Sequence, residues 1–218
     1  MNQPVIPGKT NYAMEHWNNK MCCVIDTETT GLDPTFHEII QIAVVPLTSN
    51  FDVMRGVLPF HVNLKPEYPE RADAQALSVN KRTLVDIMDR GMDKMKALDL
   101  FDDWFHKLEI KMNKYGNPNK IMPLGQNYGF DKSFIQAWMG CTTYDNYFDY
   151  HYRDTMHAAL YLNDRAGAHA ERVPFPKVNL QYLATTLKIE SDRAHDALED
   201  CITTAKVYKQ LCFSGLMG

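Results

Sequence analysis

The sequence predicts an α/β domain built on a mixed β-sheet, and three observations carry that prediction. Short β-branched runs fill the stretch from Met21 to Leu64. Apolar residues then recur at spacings of three and four between Asn80 and Lys114. Beyond that point strand-like and helix-like segments alternate.

The first run, Met21 to Ile25, is apolar and β-favouring, and Gly31 with Leu32-Asp33-Pro34 is a turn signal, so this strand is expected to end near Thr29. His37 to Leu47 is a dense β-branched run, and Gly56 to Leu64 alternates as a third strand. Connections this short favour an antiparallel meander, with Asn50 in the second turn. Leu84, Ile87 and Met88, then Met95, Leu98, Phe101, Phe105 and Leu108, follow helix spacing, with Gly91 separating two helices. Lys111 to Asn119 reads as a loop that delivers the chain to a buried strand, Ile121 to Gly125. A helix with Phe134, Ile135, Trp138 and Met139 on its apolar face follows, ended by Gly140. A fifth strand is expected within Tyr144 to Tyr152. Three helices close the chain, over roughly Asp154–Asn163, Val178–Lys188 and Asp196–Phe213, with a loop from Ala166 to Lys177.

The 218 residues form one domain over 21–213, with an N-terminal extension over 1–20 and a tail over 214–218. A hydrophobic content of 45% and a charged content of 23% are those of an ordinary globular protein. The formal charge of −4 argues against broad electrostatic attraction to nucleic acid, so any polyanion must be held locally. Five cysteines, odd in number and without C-x-x-C spacing, indicate neither a disulfide framework nor a zinc site. The first 20 residues are polar, and no run reaches membrane-spanning length, so a reducing cytoplasm is the expected compartment, with no membrane partner.

Chemistry concentrates at the end of the first strand. Asp26 and Glu28 lie two apart on a strand, so they share a face about 7 Å apart at a rise near 3.3 Å per residue. Like charges held at the edge of an apolar core are costly without a cation between them, and a divalent metal is the usual partner. The plainer alternative has one acid in solvent and the other capping the Gly31 turn. Asp131 stands where the Ile121–Gly125 strand gives way to a helix, which is where α/β sheets place ligand groups. It would serve equally as a first-turn acid of that helix. His195 and Asp200 converge only if His195 precedes the last helix or opens its first turn, because five residues turn a helix by about 140° beyond a full turn. Asp196 and Asp200, four apart, repel; Asp200 is expected to face inward and Asp196 outward. Without the other acids, this segment reads as a solvated acidic helix start with a capping histidine.

Taken together, D-x-E on the first strand, N-x-x-F-D at the strand-to-helix junction and H-x-A-x-x-D before the last helix resemble the DEDDh family of 3′–5′ exonucleases, which includes proofreading subunits, ribonuclease T and oligoribonuclease. The resemblance runs from about Met21 to Leu211 and fills the family positions with Asp26, Glu28, Asp131, His195 and Asp200. Gln126 departs from it, many relatives having histidine there.

The resemblance implies a ribonuclease H-like fold, with a central five-stranded mixed sheet whose first three strands are antiparallel, flanked by helices. It implies two Mg²⁺ (or Mn²⁺) ions held by Asp26, Glu28, Asp131 and Asp200, with His195 as general base. The oxygen-only donor set suits such hard ions. The implied substrate is single-stranded DNA or RNA with a free 3′ end, released as nucleoside 5′-monophosphates. Thr27, Thr29, Leu32 and Asn127 are placed at the substrate, and Tyr128, Phe130 or Phe36 offers a stacking face, Phe130 being the better core residue. A polymerase partner or a homodimer is compatible with the family. The competing reading is a non-catalytic nucleic-acid binding or scaffold module of the same fold, against which the complete set of acids argues.

Overall fold

A computed structural model describes residues 20–190 and 196–213. Strands β1 (Cys22–Thr29), β2 (Ile39–Pro46) and β3 (Phe60–Asn63) come first, followed by helices α1 (Ala74–Val79), α2 (Leu84–Arg90) and α3 (Lys94–Lys107). Next are β4 (Met122–Gly125), α4 (Tyr128–Met139), α5 (Cys141–Tyr147), β5 (Arg153–Asp154), α6 (Thr155–Ala168), α7 (Leu180–Thr186) and α8 (Ala197–Phe213). The five strands form one mixed sheet in the order β3-β2-β1-β4-β5. β1–β2 and β2–β3 pair antiparallel, and β1–β4 and β4–β5 pair parallel. This is the ribonuclease H-like arrangement the sequence led us to expect.

The two-residue period of the strands sorts the core into two layers. Cys23 and Ile25 of β1, with Ile42 and Val44 of β2, pack against Phe101 and Phe105 of α3 and Phe134 and Ile135 of α4. Cys22 and Val24, with Ala43 and Val45, face Ala197, Cys201 and Ala205 of α8. A third cluster fixes α6 and α7 to α8 through Ala159, Leu183 and Leu211. The parity matters for the site: Asp26 and Glu28 continue the even-numbered face of β1, toward α8, while Thr27 continues the odd-numbered face, toward α4.

Three expectations are corrected. The segment Tyr144–Tyr147 is helical, not strand, because Tyr144 and Phe148 at spacing four bury together on one side of α5, their rings 4.9 Å apart. The fifth strand is only Arg153–Asp154. The connection between β2 and β3 is not a tight turn at Asn50. It is a long loop pinned by the Leu47–Val53 bridge and by buried Phe51 in left-handed backbone at φ 59°. Pro59 has no N–H for the ladder, and β3 starts just after it. Helix α1 is an addition, nucleated by Asp73, whose carboxylate accepts the Gln75 N–H. Gly91 ends α2, as its spacing indicated. Among the described residues no helix is long and apolar enough to cross a membrane. Apart from Lys20, the proposed N-terminal extension and C-terminal tail lie outside the described residues, and so does His195.

Candidate active site

The site lies where β1 outruns its parallel neighbour. β4 pairs with β1 only as far as Val24, so the far end of β1 has no strand partner on that side. The Thr27 N–H donates instead to Asp131 Oδ1 at 2.9 Å, and the Thr27 hydroxyl donates to the same oxygen at 2.7 Å. A residue from the first turn of α4 thereby takes the place of a missing strand. The helix is held in turn by Asp154, a buried carboxylate that accepts the N–H groups of Asn127 (3.1 Å), Tyr128 (2.7 Å) and Met156 (2.8 Å), joining the starts of α4 and α6.

On the other face, Asp26, Glu28 and Asp200 each present an oxygen within 4.8 Å of the others. α8 lies against β1 through Ala197 and Cys201, so Asp200, next to Cys201 in the chain, meets the strand acids. Asp196, one turn earlier, accepts the N–H groups of Leu198 and Glu199 and pairs with Arg82, so it caps the helix with its carboxylate turned to that cation rather than grouped with the three acids.

The turn after Glu28 is shaped by close contacts. The β1–β2 register shifts between Glu28 and Thr29. Thr30 and Glu38 then exchange hydrogen bonds, the Thr30 N–H to the Glu38 carbonyl at 2.8 Å and the Glu38 N–H to the Thr30 hydroxyl at 2.9 Å. A Cβ at Gly31 would lie 2.3 Å from the His37 ring, so a side chain here must displace either that ring or the turn.

Crowding of acids sets the electrostatics. Burial, and then repulsion from Asp131, Glu28 and Asp200, holds the Asp26 carboxyl well above the ordinary range. Burial also pushes Glu28 up to about 8, with Asp200 adding to the rise and Arg82 opposing it. Asp131 is raised to about 7 by burial, against the opposing pull of the two Thr27 hydrogen bonds. A cluster that takes up protons for want of positive charge, with carboxylate oxygens as its donors among the described residues, fits a hard divalent cation. Asp26, Glu28 and Asp200 are the residues grouped to hold one. Asp131 flanks them, with one oxygen engaged by Thr27.

The RNase_T exonuclease family model matches residues 23–208. This chain belongs to that exonuclease family. Ribonuclease T of Buchnera aphidicola subsp. Baizongia pistaciae is 26% identical over 186 residues, which covers 85% of this chain and 80% of that protein. Among solved structures, E. coli exonuclease I in complex with a dT13 oligonucleotide superposes with a TM-score of 0.67 at 21% identity, over 89% of this chain and 41% of that one. Cell-death related nuclease 4 gives 0.67 at 16% identity, over 90% of this chain and 64% of its own. A 3′-exonuclease described in recognition of the histone mRNA stem-loop gives 0.64 at 19%, over 95% and 68%. The chain thus spans well under half the length of exonuclease I, and the structural likenesses establish the fold. Family membership makes the domain an enzyme of the 3′–5′ exonuclease class, a hydrolase acting on nucleic acid.

The residues placed at the substrate by sequence fall in different settings in this exonuclease. Leu32 is 81% exposed on the turn after Glu28. Thr27 is buried with its hydroxyl on Asp131, and the Thr29 hydroxyl donates to the Gly31 carbonyl. Asn127 has left-handed backbone at φ 59° and opens α4. Of the three stacking candidates, Tyr128 is fully buried with its hydroxyl on Tyr144, so no face is free. Phe130 packs on Phe134 at 4.8 Å, and Phe36 is 48% exposed. Sequence reasoning passed over Asp154 and Gln41. The signals were present: an aspartate just before a helix starting at Thr155, and one amide inside the β-branched run Ile39–Val45.

Proposed function

We propose that this exonuclease removes nucleoside 5′-monophosphates one at a time from the 3′ end of single-stranded DNA or RNA, with two divalent ions, Mg²⁺ or Mn²⁺, held by Asp26, Glu28, Asp131 and Asp200. The observation that supports it is the meeting of Asp26, Glu28 and Asp200 from two separate elements within 4.8 Å. Like charges gathered this closely at the edge of a core oppose folding unless a cation offsets them. When bound, the ions would polarise the scissile phosphate and lower the pKa of the attacking water.

The chain's own groups do the rest. Asp131, its near oxygen fixed by Thr27, keeps a rigid carboxylate beside the cluster. Leu32, projecting from the turn that follows Glu28, offers an apolar contact for the terminal base. His195 directly precedes Asp196, which caps α8 one turn before Asp200, and in this reading it takes the water's proton.

The test is a set of matched single-stranded DNA and RNA oligomers, labelled at either end, together with a circular single strand. Loss of a 3′ label at once as a mononucleotide, with Mg²⁺ or Mn²⁺ required and the circle intact, is the expected result. Rapid cutting of the circle would make the enzyme an endonuclease. Full activity in excess chelator would refute the metal reading, and binding without cleavage under every metal condition would favour the non-catalytic module.

A further inference from the structure

A row of polar side chains crosses the sheet beside the acids. In register, Glu28 of β1 faces Gln41 of β2, and Gln41 faces Asn63 of β3. Gln41 is 1% exposed, and both ends of its amide are used. Nε2 donates to Asn63 Oδ1 at 3.0 Å, and Oε1 accepts the Ala197 N–H at the start of α8 at 2.8 Å. Asn63 Oδ1 accepts a second hydrogen bond from Arg82 Nη1 at 2.9 Å. The other guanidinium nitrogen, Nη2, lies 3.7 Å from Asp196 Oδ2. Asp196 Oδ1 accepts from the N–H groups of Leu198 (3.2 Å) and Glu199 (3.4 Å), and Ala197 follows Asp196 in the chain, so the ring closes on Gln41.

This ring satisfies N–H groups that the first turn of any helix leaves without partners. It ties that turn to two strands. Arg82 is the only cation in it, and its backbone is fixed: Lys81 takes left-handed geometry at φ 53°, and the Arg82 N–H donates to the Leu77 carbonyl at 3.1 Å. The guanidinium uses separate nitrogens for oxygens on two separate elements, which a lysine ammonium on its single point cannot reproduce. The Asp200 N–H donates to the Asp196 carbonyl at 2.9 Å, so the start of α8 sets where Asp200 stands.

We propose that Arg82 is a positioning residue which, through Asn63 and Asp196, locks the first turn of α8 to the sheet and so holds Asp200 in place against Asp26 and Glu28. The proposal rests on the metal-site reading above for its functional consequence, but its structural half does not.

The experiment compares wild type with Arg82→Met and Arg82→Lys in the full chain. Hydrogen exchange followed by mass spectrometry, without metal, reads the start of α8, and calorimetric titration with Mn²⁺ alone reads the acids. In Arg82→Met, exchange over residues 197–200 should accelerate about tenfold relative to α3, the scale of losing one charged hydrogen bond. The Mn²⁺ dissociation constant should rise about tenfold or more, as when the partner of a metal ligand is removed. KM for a single-stranded oligomer at saturating Mn²⁺ should stay within about twofold, since uniform substrate binding is untouched. Arg82→Lys should fall between the two.

Unchanged exchange at the start of α8 would overturn the proposal. So would a raised KM with an unchanged Mn²⁺ constant, which would make Arg82 a substrate contact. If Arg82→Met is globally unfolded, Arg82→Lys carries the same test, and wild-type values in it would overturn the proposal. A wild-type protein that binds no Mn²⁺ would overturn the metal-site reading and the functional half of this one. That outcome is told apart from failure of the lock by the exchange comparison, which uses no metal.

Discussion

Replacing Glu28 by glutamine is expected to stabilise the metal-free protein. Glu28 is 8% exposed and has two other acids within 4.8 Å, and its carboxyl is raised from 4.5 to about 8. The folded state therefore binds a proton at pH 7 that the unfolded chain has released. The sign follows directly. A folded-state pKa above the unfolded one means that stability falls as pH rises from about 4.5, and levels off above about 8. With one pKa unit equal to about 1.36 kcal/mol, the penalty carried by Glu28 at pH 7 is about 3 kcal/mol. Glutamine keeps the shape and carries no charge, so Glu28→Gln should escape that penalty. For a domain of this size the melting temperature should rise by about 5–10 °C.

The assay is thermal unfolding in chelator at pH 5, 6, 7 and 8, repeated with saturating Mn²⁺. Wild type should lose stability across that window, and Glu28→Gln should lose less. With Mn²⁺ the order should reverse, because the ion stabilises wild type in proportion to the logarithm of its concentration over its dissociation constant, and the amide binds it poorly. A variant no more stable than wild type in chelator at pH 7, or wild-type stability flat from pH 5 to 8, would refute the reasoning.

Three further outcomes follow from the same geometry. Thr27→Val removes the hydroxyl that donates to Asp131 at 2.7 Å while keeping the backbone donor. We expect about 1 kcal/mol of lost stability in denaturant titration and a fall in turnover of about tenfold or more. Wild-type turnover would show that this hydrogen bond does not order the site. His195→Ala should lower turnover by about 10²–10⁴-fold while leaving Mn²⁺ and strand binding nearly intact. A wild-type rate and pH profile would remove it as the general base. Gly31→Ala puts a Cβ 2.3 Å from the His37 ring, so the ring or the turn after Glu28 must move. A stability loss of about 1–3 kcal/mol by thermal unfolding is expected, and an unchanged melting temperature would show that His37 can rotate away.

The sequence by itself determined the parts of this protein that depend on short range. Strand periodicity put Asp26 and Glu28 on one face, and the acids now stand together toward α8. Helix spacing and Gly91 marked α2 and α3, and Gly140 marked the end of α4. Local periodicity misread the Tyr144–Tyr147 segment, because aromatic residues at spacing four also satisfy a loose strand pattern when polar residues lie between them. Only the buried contact of Tyr144 with Phe148 resolves the two.

The tertiary structure decided what depends on which elements become neighbours. That Asp131 completes the unpaired end of β1 follows from β4 stopping at the level of Val24, a register no local pattern encodes. That Asp154 serves two helix starts, and that Tyr128 is withdrawn from any stacking role, are likewise consequences of packing. Gln41 looked like an interruption in an apolar run. It is a buried amide placed between Glu28 and Asn63, and it receives the first turn of a helix 156 residues away in the chain. Side-chain periodicity fixes which face of an element a residue occupies, but the partner across that face is set by strand order and helix placement, which are energies of the whole core.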